Sequence, residues 1–264
     1  MKKTLRFCIA MAILCSLSLR AAIHTETVFY RSDGVELEGF VAYDKSKLGP
    51  RPGILVVHQW KGLTDYEKKR CEMLAKLGYT AFAVDIYGKG VRPTTTAEAG
   101  KLAGQYKGDR TLLRARVNAG LETLRKMSQV DAKRIACIGY CFGGTTALEL
   151  ARSGADVAGV VSFHGGLSSP TPLDAQKIRC KVLALHGADD PYVPAPEVAA
   201  FQDEMRQAKV DCQLVAYSGA VHSFTHWDAG SDNSKGAAYN EKADHRSWEA
   251  MRTFFAEVFG EHHR

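Results

Sequence analysis

The sequence contains no phosphate-binding loop, no dinucleotide fingerprint and no histidine and cysteine set at zinc spacing, which removes the usual signatures of nucleotide, nicotinamide and metal chemistry. It has no internal repeat, no low-complexity tract and no linker-like stretch, so nothing divides it into a solenoid or into separate domains. A strong excess of one charge is lacking too. The formal net charge of +6 includes Lys2, Lys3, Arg6 and Arg20, and without those four it falls to +2, too little for the electrostatic footprint of a nucleic-acid partner. The apolar run from Phe7 to Leu19 is too short to span a bilayer comfortably.

What that run does offer is an order: basic residues before it, Arg20 and the small pair Ala21-Ala22 after it. This is the order of a secretory signal peptide. Residues 1–22 are expected to be removed, leaving residues 23–264 as one domain in the periplasm or outside the cell, with no stable membrane span. An uncleaved anchor is the alternative, and the bulky Leu14 argues against lipidation at Cys15. A chain of 264 residues, 45% hydrophobic and 24% charged, suits one large α/β domain. Its oligomeric state is left open. Beyond the leader stand five cysteines, Cys71, Cys137, Cys141, Cys180 and Cys212, and an odd number fits one reactive thiol plus others. Cys180 and Cys212 each begin a strand-like run and could be bridged in an oxidising compartment, but two buried thiols are the favoured expectation.

Residues 26–31 and 35–43 flank Ser32-Asp33-Gly34 as a hairpin. Strands at 54–58, 80–86, 134–139, 157–163, 181–186 and 213–217 then alternate with helices at 64–77, 110–127, 145–152, 196–208 and 236–259. That alternation predicts a mostly parallel, twisted sheet with helices on both faces. Residues 93–108 are Thr-, Ala- and Gly-rich with weak periodicity, and read either as a mobile cap beside the site or as an ordinary short helix. Ligands of such sheets bind at the carboxyl ends of the strands. Those ends carry His58-Gln59-Trp60, Tyr87-Gly88-Lys89, Cys141, His164-Gly165-Gly166, Asp189-Asp190 and His222.

Among them Gly139-Tyr140-Cys141-Phe142-Gly143-Gly144 joins an apolar strand to a helix. Such a turn forces the central residue into a strained backbone conformation and aims its side chain over the sheet, while the glycines remove colliding Cβ atoms. At a helix N-terminus the sulfur of Cys141 also meets the positive end of the dipole, which favours thiolate. A buried structural cysteine is the competing reading. A thiol nucleophile needs a base, and the base needs an orienting acid. His222, in the small-residue loop Ser218-Gly219-Ala220-Val221-His222, supplies the first, and Asp190 the second, with Asp189 as its competitor. Backbone N–H groups of Trp60 and Phe142 are the expected oxyanion hole.

These motifs, G-Y-C-F-G-G, G-A-D-D-P-Y-V-P and G-A-V-H-S-F in that order, resemble the dienelactone hydrolase family of α/β-hydrolases over residues 26–259. The resemblance implies an α/β-hydrolase fold, Cys141 as nucleophile, Asp190 as orienting acid, His222 as base, and no metal or organic cofactor. Family members usually carry a glutamate in an H-E-x-x-G-like segment, where this chain has His58-Gln59-Trp60-Lys61-Gly62. Gln59 cannot ionise, so a negative charge that disfavours thiolate is missing. The family's two carboxylate-binding arginines map onto Lys89 and His226, neither of which reproduces a bidentate guanidinium contact. Gln59, Lys89, His164 and His226 are the candidate substrate-binding residues. The expected activity is hydrolysis of a small-molecule ester or lactone, with dienelactone itself in doubt. A thioesterase or acyltransferase built on the same three residues is one alternative, and a non-catalytic thiol-based binding or redox-sensing protein is the other.

Overall fold

The computed structural model describes residues 22–260, so the predicted signal peptide lies, but for Ala22, outside the described residues. Strands β1 (Ile23–Ser32) and β2 (Val35–Asp44) form the antiparallel hairpin. Asp33 and Gly34 between them both take positive φ, the condition of a tight two-residue connection. The chain then runs through β3 (Arg51–Val57), α1 (Asp65–Leu77), β4 (Thr80–Val84), α2 (Thr96–Gly108), α3 (Arg110–Arg125), β5 (Val130–Tyr140) and α4 (Phe142–Arg152). It finishes with β6 (Gly159–Phe163), β7 (Lys181–Gly187), α5 (Ala195–Gln207), β8 (Cys212–Tyr217) and α6 (Glu241–Val258). All eight strands form one sheet in the order β1-β2-β4-β3-β5-β6-β7-β8, antiparallel as far as β4 and parallel from there. This is the α/β-hydrolase arrangement that the alternating pattern predicts.

Strand side chains alternate between the two faces, and the alternation sorts them into two cores. Leu55 and Val57 of β3, with Ile135 and Cys137 of β5, pack against α3, α4 and α5. Ile54, Val56, Ala136 and Ile138 pack against Leu74 of α1 and Met251, Phe254 and Phe255 of α6. Burial of each large aliphatic side chain contributes on the order of 1.5–3 kcal/mol, so the central strands β3 and β5 are fixed from both sides. Their carboxyl ends are correspondingly rigid.

Several expectations are sharpened here. Residues 96–108 form a helix with a capping box, Thr95 receiving the Glu98 N–H and the Glu98 carboxylate receiving the Thr95 N–H. Helix α6 starts at Glu241 rather than at residue 236. The residues before it are held otherwise: His222 donates its N–H to Gly236 O, and Ala238 donates to His222 O. Cys180 and Cys212 are free thiols, the first buried and the second half-buried. Among the described residues no helix is long and apolar enough to cross a membrane.

Candidate active site

Cys141 sits between β5 and α4 with φ 55° and ψ −116°, a conformation that L side chains rarely adopt. What makes the turn possible is close backbone contact. A Cβ on Gly139 would lie 1.9 Å from Gly143 O, and one on Gly143 would lie 2.2 Å from Val57 O. With hydrogens there instead, α4 seats directly against the ends of β3 and β5, and the half-buried thiol points into a cavity of about 420 Å³.

The loop after β7 brings in Asp190, and the loop after β8 brings in His222. Nδ1 of His222 lies 2.8 Å from Asp190 Oδ2, and Nε2 lies 3.0 Å from Cys141 Sγ. Asp190 is buried, and its other oxygen accepts the Tyr192 N–H at 2.8 Å, which fixes the carboxylate plane. Asp189 plays a different part. It is exposed, accepts the Gly219 N–H and so ties its own turn to the histidine loop. Tyr192 lays its ring edge-on to the His222 imidazole at 5.4 Å.

The electrostatics follow from this geometry. Burial pushes the Cys141 thiol up, but the adjoining His222 charge, its hydrogen bond and the Phe142 N–H outweigh burial, and the net shift is downward. Burial pushes His222 down, and the Cys141 thiolate and the Asp190 carboxylate more than reverse that, raising it to about 10. Both shifts favour the thiolate and imidazolium forms of the pair.

Two backbone donors flank the sulfur. Phe142 is the first residue of α4, where an N–H has no acceptor within the helix. The Trp60 N–H has no hydrogen-bond acceptor among the described residues. The loop that carries it is held on every side. Tyr87 donates its hydroxyl to Trp60 O, the Gln59 N–H donates to the buried Glu67, and His58 donates from Nδ1 to Gln59 O. Nε2 of His58 accepts the Ile86 N–H, and burial, outweighing the opposing Asp85 charge, lowers this imidazole to about 4.

Trp60, Cys141, Phe142 and His222 line the cavity, with Asp190 behind His222. The four residues expected to bind substrate do not line it. Gly88 and Gly90 take positive φ, and between them Lys89 pairs with Glu36 of β2, over the Phe29 ring of β1. Gln59 is buried beneath the loop, and His226 stacks on Tyr66 at 4.9 Å. His164 is buried behind the elbow, where its Nδ1 accepts the Cys141 N–H. Residues 93–108, which the sequence left open between a cap beside the site and an ordinary helix, supply helix α2 as a cavity wall, and its lining residues Gly100, Ala103 and Lys107 were not among the sequence candidates. Lys107 is exposed and has no ion-pair partner among the described residues. The Thr95 and Glu98 capping pattern was the available signal for that helix.

The family model described as "Dienelactone hydrolase family" matches residues 37–259. A solved structure of a dienelactone hydrolase-like promiscuous phosphotriesterase from metagenomic libraries is 41% identical, covers 90% of this chain and 99% of its own, and superposes with a TM-score of 0.86. A protein of Saccharolobus solfataricus named "Putative carboxymethylenebutenolidase" is 26% identical over 88% of this chain and 98% of its own. A Bradyrhizobium protein named "Probable 2-oxo-3-(5-oxofuran-2-ylidene)propanoate lactonase" is 31% identical over 67% of this chain and 74% of its own.

Proposed function

The chain belongs to the dienelactone hydrolase family of hydrolases, and from that premise we propose that it hydrolyses small carboxylic esters or lactones through an acyl-enzyme on Cys141. The observation that carries this reading is the line of contacts from Asp190 through His222 to the sulfur, 2.8 Å and 3.0 Å long, opening into the cavity. The Cys141 thiolate attacks the carbonyl carbon, and the resulting oxyanion accepts the Trp60 and Phe142 N–H groups. As the tetrahedral species collapses, the His222 imidazolium gives its proton to the leaving oxygen and the thioester remains. Water then attacks the thioester with neutral His222 taking its proton, the acid departs, and the proton retained by His222 restores the ion pair. Asp190 holds the Nδ1–H tautomer and stabilises the charged ring throughout. Every step uses groups of the chain and water, so no metal or organic cofactor is required.

The names of the relatives support lactones as the first substrates to try. Export is part of the same proposal, supported by Lys2, Lys3 and Arg6 ahead of the apolar run 7–19, and N-terminal sequencing of protein recovered from the periplasm or medium tests it. The test of the activity is pre-steady-state release of nitrophenol from short-chain p-nitrophenyl esters by the mature chain, with Cys141→Ala as control. A burst stoichiometric with enzyme and absent from the variant is expected. No burst and no turnover above the variant would overturn the acyl-enzyme.

A further inference from the structure

Thr225 lies three residues beyond His222 and is fully buried. Its hydroxyl oxygen is 2.8 Å from Nε2 of His164, whose other ring nitrogen accepts the Cys141 N–H at 3.1 Å, an N–H that it shares with Phe163 O at 2.9 Å. One buried imidazole therefore joins the backbone of the elbow to the loop that carries its partner histidine. The ring reaches this place on a backbone strained at φ 40°.

One set of proton directions satisfies every contact in this arrangement. Nδ1 of His164 faces an N–H, so it carries a lone pair, and the ring proton is on Nε2, donated to Thr225 Oγ1. The Thr225 hydroxyl donates to the Tyr66 hydroxyl at 2.7 Å, and Tyr66 donates onward to Thr225 O at 3.2 Å. Arg70, which can only donate, reaches the Tyr66 oxygen at 3.1 Å, Thr225 O at 3.0 Å and Asp244 Oδ1 at 2.6 Å. A second proton on His164 would set one N–H against another at Cys141. Burial and the nearby charges of His222, His226 and Arg70 all hold this imidazole well below its ordinary range, so it stays neutral beside a charged His222.

We propose that His164 is a positioning residue, a neutral strut between the Cys141 N–H and Thr225 that sets the contact between Cys141 Sγ and His222 Nε2. This role rests on the reading of Cys141 and His222 as nucleophile and base. It gives His164 a purpose that its absence from the cavity wall leaves unexplained. It also explains why the elbow and the histidine loop, 81 residues apart in sequence, keep their separation.

The experiment compares Thr225→Val, which removes the hydroxyl at nearly constant shape, with Thr225→Ser, which keeps it. In the mature chain the pH midpoint of Cys141 alkylation by iodoacetamide, the p-nitrophenyl ester kinetics and the Tm are measured together. Thr225→Val is expected to raise the midpoint by about one unit, equivalent to about tenfold less thiolate near neutral pH, and to lower kcat about tenfold with KM nearly unchanged. Thr225→Ser is expected to stay close to the parent chain in all three. His164→Asn keeps an acceptor for the elbow but cannot span to Thr225, and it should match Thr225→Val without adding to it in the double variant. A Thr225→Val chain with a lowered Tm but the parental midpoint, equal impairment by Ser and Val, or full additivity with His164→Asn would each overturn the strut. A parent chain without an ester burst, whose low midpoint still rises in Thr225→Val, would remove the hydrolase reading and leave the strut standing.

Discussion

Replacing Asp190 by asparagine removes one negative charge from the site with little change of shape. The Asp190 side chain is fully buried and that of His222 is only 13% exposed, so solvent hardly screens their contact. A hydrogen bond to a charged partner in such a place is worth about 1.5–3 kcal/mol. At about 1.36 kcal/mol per pKa unit, the imidazolium loses roughly one to two units of support. Because thiolate and imidazolium stabilise each other, the Cys141 midpoint should rise by a comparable amount. The assay is the second-order rate of iodoacetamide alkylation as a function of pH. In the parent chain the rate should climb through a midpoint below about 8.5, the free-cysteine value, and then hold level. The sign at the upper end follows from His222, whose folded value is raised to about 10: the pair is intact below that pH and is lost as pH rises through it. In Asp190→Asn the level region should narrow from both sides. A parent midpoint at or above about 8.5 would falsify the ion-pair argument, and so would an Asp190→Asn profile that superimposes on the parent's.

Gly143→Ala places a methyl group 2.2 Å from Val57 O and 2.7 Å from His58 O, backbone atoms at the end of a central strand and just beyond it. It should destabilise the fold by about 1–3 kcal/mol or more in chemical denaturation, and whatever folds should lack the nitrophenol burst. Lys107→Ala is expected to raise KM up to about fivefold for a carboxylate-bearing ester while sparing a neutral one, as befits a single exposed charge. Lys89→Ala should change neither, since Lys89 lies outside the cavity. Equal effects of Lys107→Ala on both esters in steady-state kinetics would refute that assignment.

The elbow could be read from sequence because its chemistry is local. Gly139 and Gly143 sit two residues from Cys141 on either side, and the switch from strand to helix falls between them. Asp190 and His222 were legible as residues placed just after strands, and the sheet order brings those strand ends to one edge. Lys89 shows the limit of that rule. Position after a strand says that a residue reaches the rim but not which side of the rim it takes, and here Lys89, between two glycines at positive φ, pairs with Glu36. Helix α2 was obscure for another reason. Its buried residues are Ala99, Ala103 and Tyr106, and alanine contributes almost nothing to a hydrophobic period. His164 was legible as a strand-end residue, but not its contacts, because Thr225 and helix α1, which carries Tyr66 and Arg70, lie far from it in the chain.

Helix α2 also separates selection from reaction within the molecule. The groups that react stand at the ends of the sheet strands, whereas one long wall of the cavity is a thirteen-residue segment that supplies none of the three reacting side chains. Its tie to the frame includes the Tyr106 hydroxyl, which donates to Tyr87 O. The inner positions Gly100, Ala103 and Lys107 therefore act as an exchangeable mould. Altering them changes which molecules fit and which charge they meet, while the reactivity of the sulfur is set first by His222 and Asp190 on the other side, with the Lys107 charge adding to the support of the thiolate.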